Sequence, residues 1–252
     1  MAKAKTDVTI RECTSFGELA KCVELQREVF ALPEIEISPV RHLIVTKNAG
    51  GFTLGAFVDN KLVGFVLSVP AYLRGERAFY SHMTAVRASY QSAGIGARLK
   101  WAQRERSLSE GVKLIKWTFE PAKARNAYFN LEKLGAVVRE YQKDFYGTDY
   151  ATAPEMGEKI GLASDRLFAE WELESEKVRA LANGSAYVEI RPVKDAIIIP
   201  SDWYSLVSKD PRLALAEQLR IRSEFESAFG RGLVCRGFER SSAEPKYLLY
   251  EK

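Results

Sequence analysis

The stretch Val86-Arg87-Ala88-Ser89-Tyr90-Gln91-Ser92-Ala93-Gly94-Ile95-Gly96-Ala97-Arg98-Leu99 decides how the chain is read. Before it, Phe79 to Val86 alternates as a strand does. After it, Ile95 to Ser109 has the period of an amphipathic helix, with Ile95, Leu99, Ala102 and Leu108 as its apolar face. The turn between them holds two glycines where the helix begins. Glycine lets a ligand approach the backbone closely. The first N–H groups of a helix have no intrahelical partner, and its dipole favours negative charge at that end. Strand, glycine turn and helix start together describe a phosphate or pyrophosphate site.

Several ligands fit that description. A dinucleotide fold needs G-x-G-x-x-G directly after its strand and an acidic residue about 20 residues on. Here the third glycine is Leu99, and Arg87 to Ala93 separate Val86 from Gly94, although Glu120 does end the next strand. A P-loop needs Gly-Lys-Ser or Gly-Lys-Thr, and the chain has neither. A plain structural turn ahead of an ordinary helix is the remaining alternative.

The same residues resemble the acyl-CoA-binding motif of the GNAT superfamily of N-acetyltransferases. The family pattern is a strand ending in Val, then Gln/Arg-x-x-Gly-x-Gly/Ala opening a helix. Val86, Gln91, Gly94 and Gly96 stand at those positions. The resemblance implies that backbone amides from Gln91, Ser92, Ala93, Gly94, Ile95, Gly96 and Ala97 hold the CoA pyrophosphate. The thioester arm then runs along the strand past Thr84 and Val86. A second likeness is Asn126-Ala127-Tyr128-Phe129-Asn130-Leu131-Glu132-Lys133-Leu134-Gly135, similar to the family's other cofactor motif, an Asn-led helix ending in Gly. It implies that Asn126 and Phe129 touch the pantetheine. Many relatives carry a Tyr four residues before that Gly as the acid for the leaving thiolate; Leu131 stands there in this chain, so the resemblance leaves Tyr128 or Tyr146 as the candidate acid.

The order of elements supports a whole domain. Val8 to Arg11 reads as a strand, and Thr14 or Ser15 caps a helix with Glu18 placed as in a capping box. Ser38-Pro39 opens a second helix that stops near Gly50-Gly51. Phe52 to Val58 and Leu62 to Tyr72 form a hairpin turning at Asp59-Asn60-Lys61. Beyond the central helix follow a strand (Leu114 to Phe119), a helix (Arg125 to Leu134) and a strand (Val137 to Tyr146). The fold expected is therefore α/β (α+β), a GNAT acyl-CoA N-acyltransferase fold with a mixed central sheet flanked by helices.

That domain is expected over residues 1–147, with 148–252 as a C-terminal α+β extension, a degenerate repeat being one reading of it. The extension reads as a loop over Gly147 to Ser164, strands at Leu167 to Leu173, Tyr187 to Pro192 and Ala196 to Ile199, and a short helix from Ser175. A long helix from Asp210-Pro211 to Phe229 follows, with Leu213, Leu219, Phe225 and Phe229 buried, then two closing strands. Arg166 and Trp171 are the acceptor-side candidates there. The layout also resembles an uncharacterised branch of the superfamily that carries such an extension.

Composition agrees with a folded domain and narrows partners little. Hydrophobic residues make up 46% and charged residues 28%, with a net charge of +4 over 37 basic and 33 acidic residues. The basic residues form no block of the kind that binds nucleic acid or lipid. Three cysteines without metal-like spacing argue against a disulfide framework and for a reducing cytoplasm. No apolar run of about 18 residues is present for a membrane span.

If acyl-CoA is the donor, a neutral amine attacks the thioester carbonyl, so an ammonium must lose a proton and the thiolate must gain one. His82, on the central strand, and Glu120, at the end of the next, are the candidate bases, with a water chain as the alternative. Tyr80, His82 and Thr84 are expected on one strand face, opposite Ser81, Met83 and Ala85. The function expected is N-acetyl transfer from acetyl-CoA to a primary amine, small molecule or peptide, by direct attack in a ternary complex. No metal, nucleic acid or membrane is expected to take part, and a homodimer is compatible with it. The alternative is a non-catalytic acyl-CoA-binding regulatory module on the same fold.

Overall fold

A computed structural model describes residues 7–30, 32–147 and 161–252. The chain packs as two compact units, Met1–Ile115 and Lys116–Lys252.

Unit 1 is built on four antiparallel strands in the order β1 (Thr9–Glu12), β2 (Phe52–Val58), β3 (Lys61–Leu73) and β4 (Glu76–Val86). The hairpin between β2 and β3 turns where Asp59 and Asn60 both have positive φ (47° and 61°), as a type I′ turn requires. Helix α1 (Phe16–Phe30) starts in the expected capping box. Ser15 N donates to Glu18 Oε2 at 3.2 Å, and Glu18 N donates to Ser15 Oγ at 3.3 Å. Helix α2 (Val40–Asn48) begins one residue later than expected, with Pro39 as its cap residue. Leu19, Val23, Leu25, Leu43, Phe65 and Leu67 form the core between these helices and the sheet.

Helix α3 (Ile95–Leu108) lies where expected, but its buried face differs. Ile95 and Leu99 are buried together with Lys100, Gln103, Arg104 and Ser107, while Ala102 and Leu108 are half-buried. The polar members are satisfied among themselves and by the sheet. Lys100 Nζ donates to Gln103 Oε1 (2.6 Å) and Ser81 Oγ (3.0 Å), and Gln103 Nε2 donates to Ser68 Oγ (2.7 Å).

Unit 2 contains all but the first two residues of β5 (Leu114–Phe119), then α4 (Ala124–Tyr128), β6 (Val137–Gln142), β7 (Arg166–Glu172), α5 (Glu176–Ala182), β8 (Asp195–Ile198), α6 (Trp203–Lys209), α7 (Pro211–Gly230), β9 (Val234–Glu239) and β10 (Lys246–Tyr250). Its strand order is β5-β7-β6-β9-β10-β8. The helix expected over Arg125 to Leu134 is a short α-helix continued by a π turn over Phe129–Lys133. The strand expected at Tyr187 to Pro192 is absent; that segment is irregular, with Val188 and Ile190 exposed, so its alternation served no sheet. Helix α6 was not read from the sequence. Asp210 caps α7 as expected, accepting from Leu213 N at 3.0 Å. Its buried stripe runs through Ala214, Gln218, Ile221, Phe225 and Ala228, leaving Leu213 and Leu219 about half exposed. The loop read over Gly147 to Ser164 lies mostly outside the described residues, as does most of the polar lead-in before Val8.

Among the described residues, no helix is long and apolar enough to cross a membrane.

Candidate acyl-CoA site

The connection between β4 and α3 is the first part of the site. The chain leaves β4 at Val86, makes a 3₁₀ turn over Ala88–Tyr90, and enters α3 through Gly94. Gly94 has φ +77°, the left-handed region that costs an L side chain about 1–2 kcal/mol. Ser92 also has positive φ (64°), an uncommon conformation for a side-chain-bearing residue.

Where the amides of this loop go decides its chemistry. Arg87 N donates to Val63 O, Tyr90 N to Arg87 O, and Gln91 N to Ala88 O. Arg98 N opens the helical ladder by donating to Gly94 O at 3.1 Å. Among the described residues, no protein acceptor takes the N–H of Ser92, Ala93, Gly94, Ile95, Gly96 or Ala97. Six consecutive amides at a helix start, those of Ser92, Ala93 and Gly94 on exposed residues, form an anion cradle. The Gln91 amide, expected in that set, is committed to the turn. The Gln91 side chain instead braces the loop, Nε2 donating to Val86 O at 3.0 Å. A Cβ at Gly96 would meet nothing nearer than Val86 Cγ2 at 3.9 Å, so packing does not require glycine there.

His82 sits at a β-bulge. Leu67 pairs with Met83 and Ser68 with Ser81, which leaves His82 as the extra residue of β4. The bulge breaks the alternation expected from sequence. Ser81 bonds to α3 through Lys100, whereas Met83 packs against the core under α1 and α2. His82 Nε2 lies 3.3 Å from Ser38 Oγ, and its ring meets His42 edge-on at 5.7 Å. His82 is exposed at the surface; partial desolvation by the surrounding protein, and secondarily the neighbouring His42, hold its pKa below the usual histidine value.

In unit 2, Glu120 is ion-paired with Lys123 at 2.5 Å, so its carboxylate already has a cation. Glu120 and Arg166 line a cavity of about 20 Å³ with Trp203 and Gln218, room for about one water rather than for an acceptor molecule. Trp171 is fully buried and donates to Leu134 O at 2.6 Å; it is core, not an acceptor contact. On α4, Asn126 is exposed, while Tyr128 has Arg240 and Lys133 over its ring at 4.8 and 5.5 Å. Leu131, at the position of the family's acid, is completely buried. Tyr146 is half exposed, 3.4 Å from Thr118 Oγ1.

A model of the acetyltransferase (GNAT) family matches residues 19–136. Those residues are a GNAT acetyltransferase domain. The GNAT domain begins in unit 1 and runs into unit 2. Solved structures resemble the chain in fold. A GNAT family acetyltransferase from Elizabethkingia anophelis with acetyl-CoA bound is 18% identical, covers 66% of this chain and 98% of its own, and gives a TM-score of 0.50. The ribosomal-protein-S18-alanine N-acetyltransferase from Escherichia coli is 15% identical, with coverages of 68% and 97% and a TM-score of 0.52. An N-acetyltransferase from Staphylococcus aureus Mu50 is 12% identical, with coverages of 67% and 99% and a TM-score of 0.52. No curated protein matches the chain by sequence. The antiparallel pairing of β1 through β4 departs from the dinucleotide fold, which needs a parallel doubly wound sheet.

Proposed function

We propose that the protein is an N-acetyltransferase that moves an acetyl group from acetyl-CoA to a primary amine, of a small molecule or a peptide, by direct attack in a ternary complex. The observation that carries this reading is the run of unpartnered amides from Ser92 to Ala97. They supply donors for the CoA diphosphate, and the αL Gly94 sets their direction. Thr84 and Val86 then border the thioester arm on β4. In the reaction the ammonium loses its proton to a base and the amine nitrogen bonds to the thioester carbon. The C–S bond then breaks, and the CoA thiolate takes a proton.

His82 is the better base. Its lowered pKa keeps the imidazole neutral near pH 7, while Glu120 is engaged by Lys123. Tyr128, with cations over its ring, is the proposed acid in place of Leu131. Calorimetric titration with CoA, together with thiol release from acetyl-CoA across a panel of amines, tests the proposal. Saturable CoA binding that Gly96→Glu removes supports it; undiminished binding in that variant overturns it.

The burial of Leu131 favours one second reading, an acyl-CoA-binding regulatory module without turnover. Tight CoA binding with no thiol release for any amine distinguishes it.

A further inference from the structure

Ser38 and His82 are 44 residues apart in sequence and meet through a small set of constrained parts. The bulge at His82 sends the imidazole toward the connection between α1 and α2, where Ser38 lies. Ser38 is held by its main chain. Gln26, on α1, takes both of its backbone groups, Ser38 N donating to Gln26 Oε1 at 3.0 Å and Gln26 Nε2 donating to Ser38 O at 3.2 Å. Gln26 is only 1% exposed and sits beside Val23 and Leu25 of the apolar core. Burying an amide is unfavourable unless it is hydrogen-bonded, so a Gln here serves the connection rather than packing. Pro39 follows directly and restricts Ser38 to extended conformations. With its N–H and C=O both occupied, Ser38 has one group left, its hydroxyl, and that group faces His82 Nε2.

We propose that Gln26 and Ser38 are positioning residues for His82, with the Ser38 hydroxyl accepting Nε2–H so that Nδ1 carries the lone pair that takes the acceptor's proton. This rests on the acyl-transfer reading above with His82 as its base. No protein group engages Nδ1 among the described residues, which leaves it open to substrate. The arrangement follows the general logic of an oriented base, in which a third group fixes tautomer and ring direction. Of the elements packed around the imidazole, α2 presents His42, the one titratable neighbour acting on it. The α1–α2 connection presents neutral Ser38, and β3 pairs the bulge with neutral Leu67 and Ser68.

The experiment combines nitrogen NMR of the two histidines with pH profiles of acetyl-CoA turnover. In the full-length protein His82 is expected as the Nε2–H tautomer, a readout independent of turnover; the Nδ1–H tautomer overturns the proposal. Ser38→Ala is expected to lower kcat roughly tenfold with KM for acetyl-CoA unchanged. It is also expected to move the acidic limb of kcat/KM to lower pH, because the imidazolium loses a hydrogen-bond acceptor. Gln26→Leu is expected to do the same, and Ser38→Thr, which keeps the hydroxyl, to restore the wild-type profile. If Gln26→Leu does not fold, Ser38→Ala and Ser38→Thr decide alone. Loss of turnover in His82→Ala beside a wild-type profile in Ser38→Ala overturns the positioning role only. A wild-type profile in His82→Ala overturns the base assignment beneath it.

Discussion

Gln91 Nε2 donates to the Val86 carbonyl at 3.0 Å, so the residue that ends the 3₁₀ turn is tied back to the last residue of β4. The bond closes the entrance to the amide cradle and fixes its first corner. Gln91→Ala is expected to lower stability by about 1 kcal/mol, the usual net worth of such a bond. CoA affinity should fall more than that, since the unpartnered amides lose their common frame. Urea unfolding and CoA titration on one protein sample compare the two losses.

Gly94 and Gly96 are expected to separate backbone need from ligand need. Gly94→Ala forces a side chain into φ +77° and should destabilise by about 1–2 kcal/mol. Gly96 has ordinary φ and room for a Cβ, so Gly96→Glu should keep the melting temperature within a few degrees while removing CoA binding. Thermal melts with and without CoA show both effects; a large loss of stability in Gly96→Glu contradicts the assignment.

The two candidate bases differ in their surroundings, and their variants should differ as well. His82→Ala is expected to lower kcat by about 10²-fold, the low end for a general base. Glu120→Gln should change it far less, because Glu120 already pairs with Lys123 at 2.5 Å. Steady-state kinetics with saturating acetyl-CoA measures the ratio.

Glu18 links stability to acid. Arg11, foremost, and then the Ser15 amide hold its carboxyl down at about 2 from an ordinary 4.5. A carboxylate with a depressed folded pKa contributes stability that is complete above its unfolded value and lost as pH falls toward the folded one. The wild type should therefore lose stability between about pH 4.5 and 2, relative to Glu18→Gln, in acid-unfolding curves.

Lys100 links stability to base with the opposite origin. Burial pushes its ammonium well below the ordinary 10.5. The unfolded chain then binds the proton more tightly, so stability rises with pH until the unfolded lysine titrates near 10.5. Relative to Lys100→Met, the wild type should gain stability as pH rises toward 10.5. A flat difference between the two would contradict the burial seen.

Sequence alone determined the parts set by local rules. The capping box at Ser15 and Glu18, the hairpin turn at Asp59-Asn60-Lys61, the cap at Asp210 and the glycine turn before α3 each need only residues a few positions apart. Their backbone conformations follow from single side chains, so they are legible without a fold. The tertiary structure decided what depends on distant partners. It committed the Gln91 amide to Ala88 and left the next six free, and it put a bulge at His82 through its pairing with β3. It buried Lys100 and Gln103 where the apolar pattern favoured Ala102 and Leu108, and exposed Leu213 and Leu219. It also joined Gln26 to Ser38 and Ser38 to His82. Periodicity reports which face of an element is apolar on average; which side chain is buried, and which polar atom keeps a free valence, is fixed only when another element packs against it.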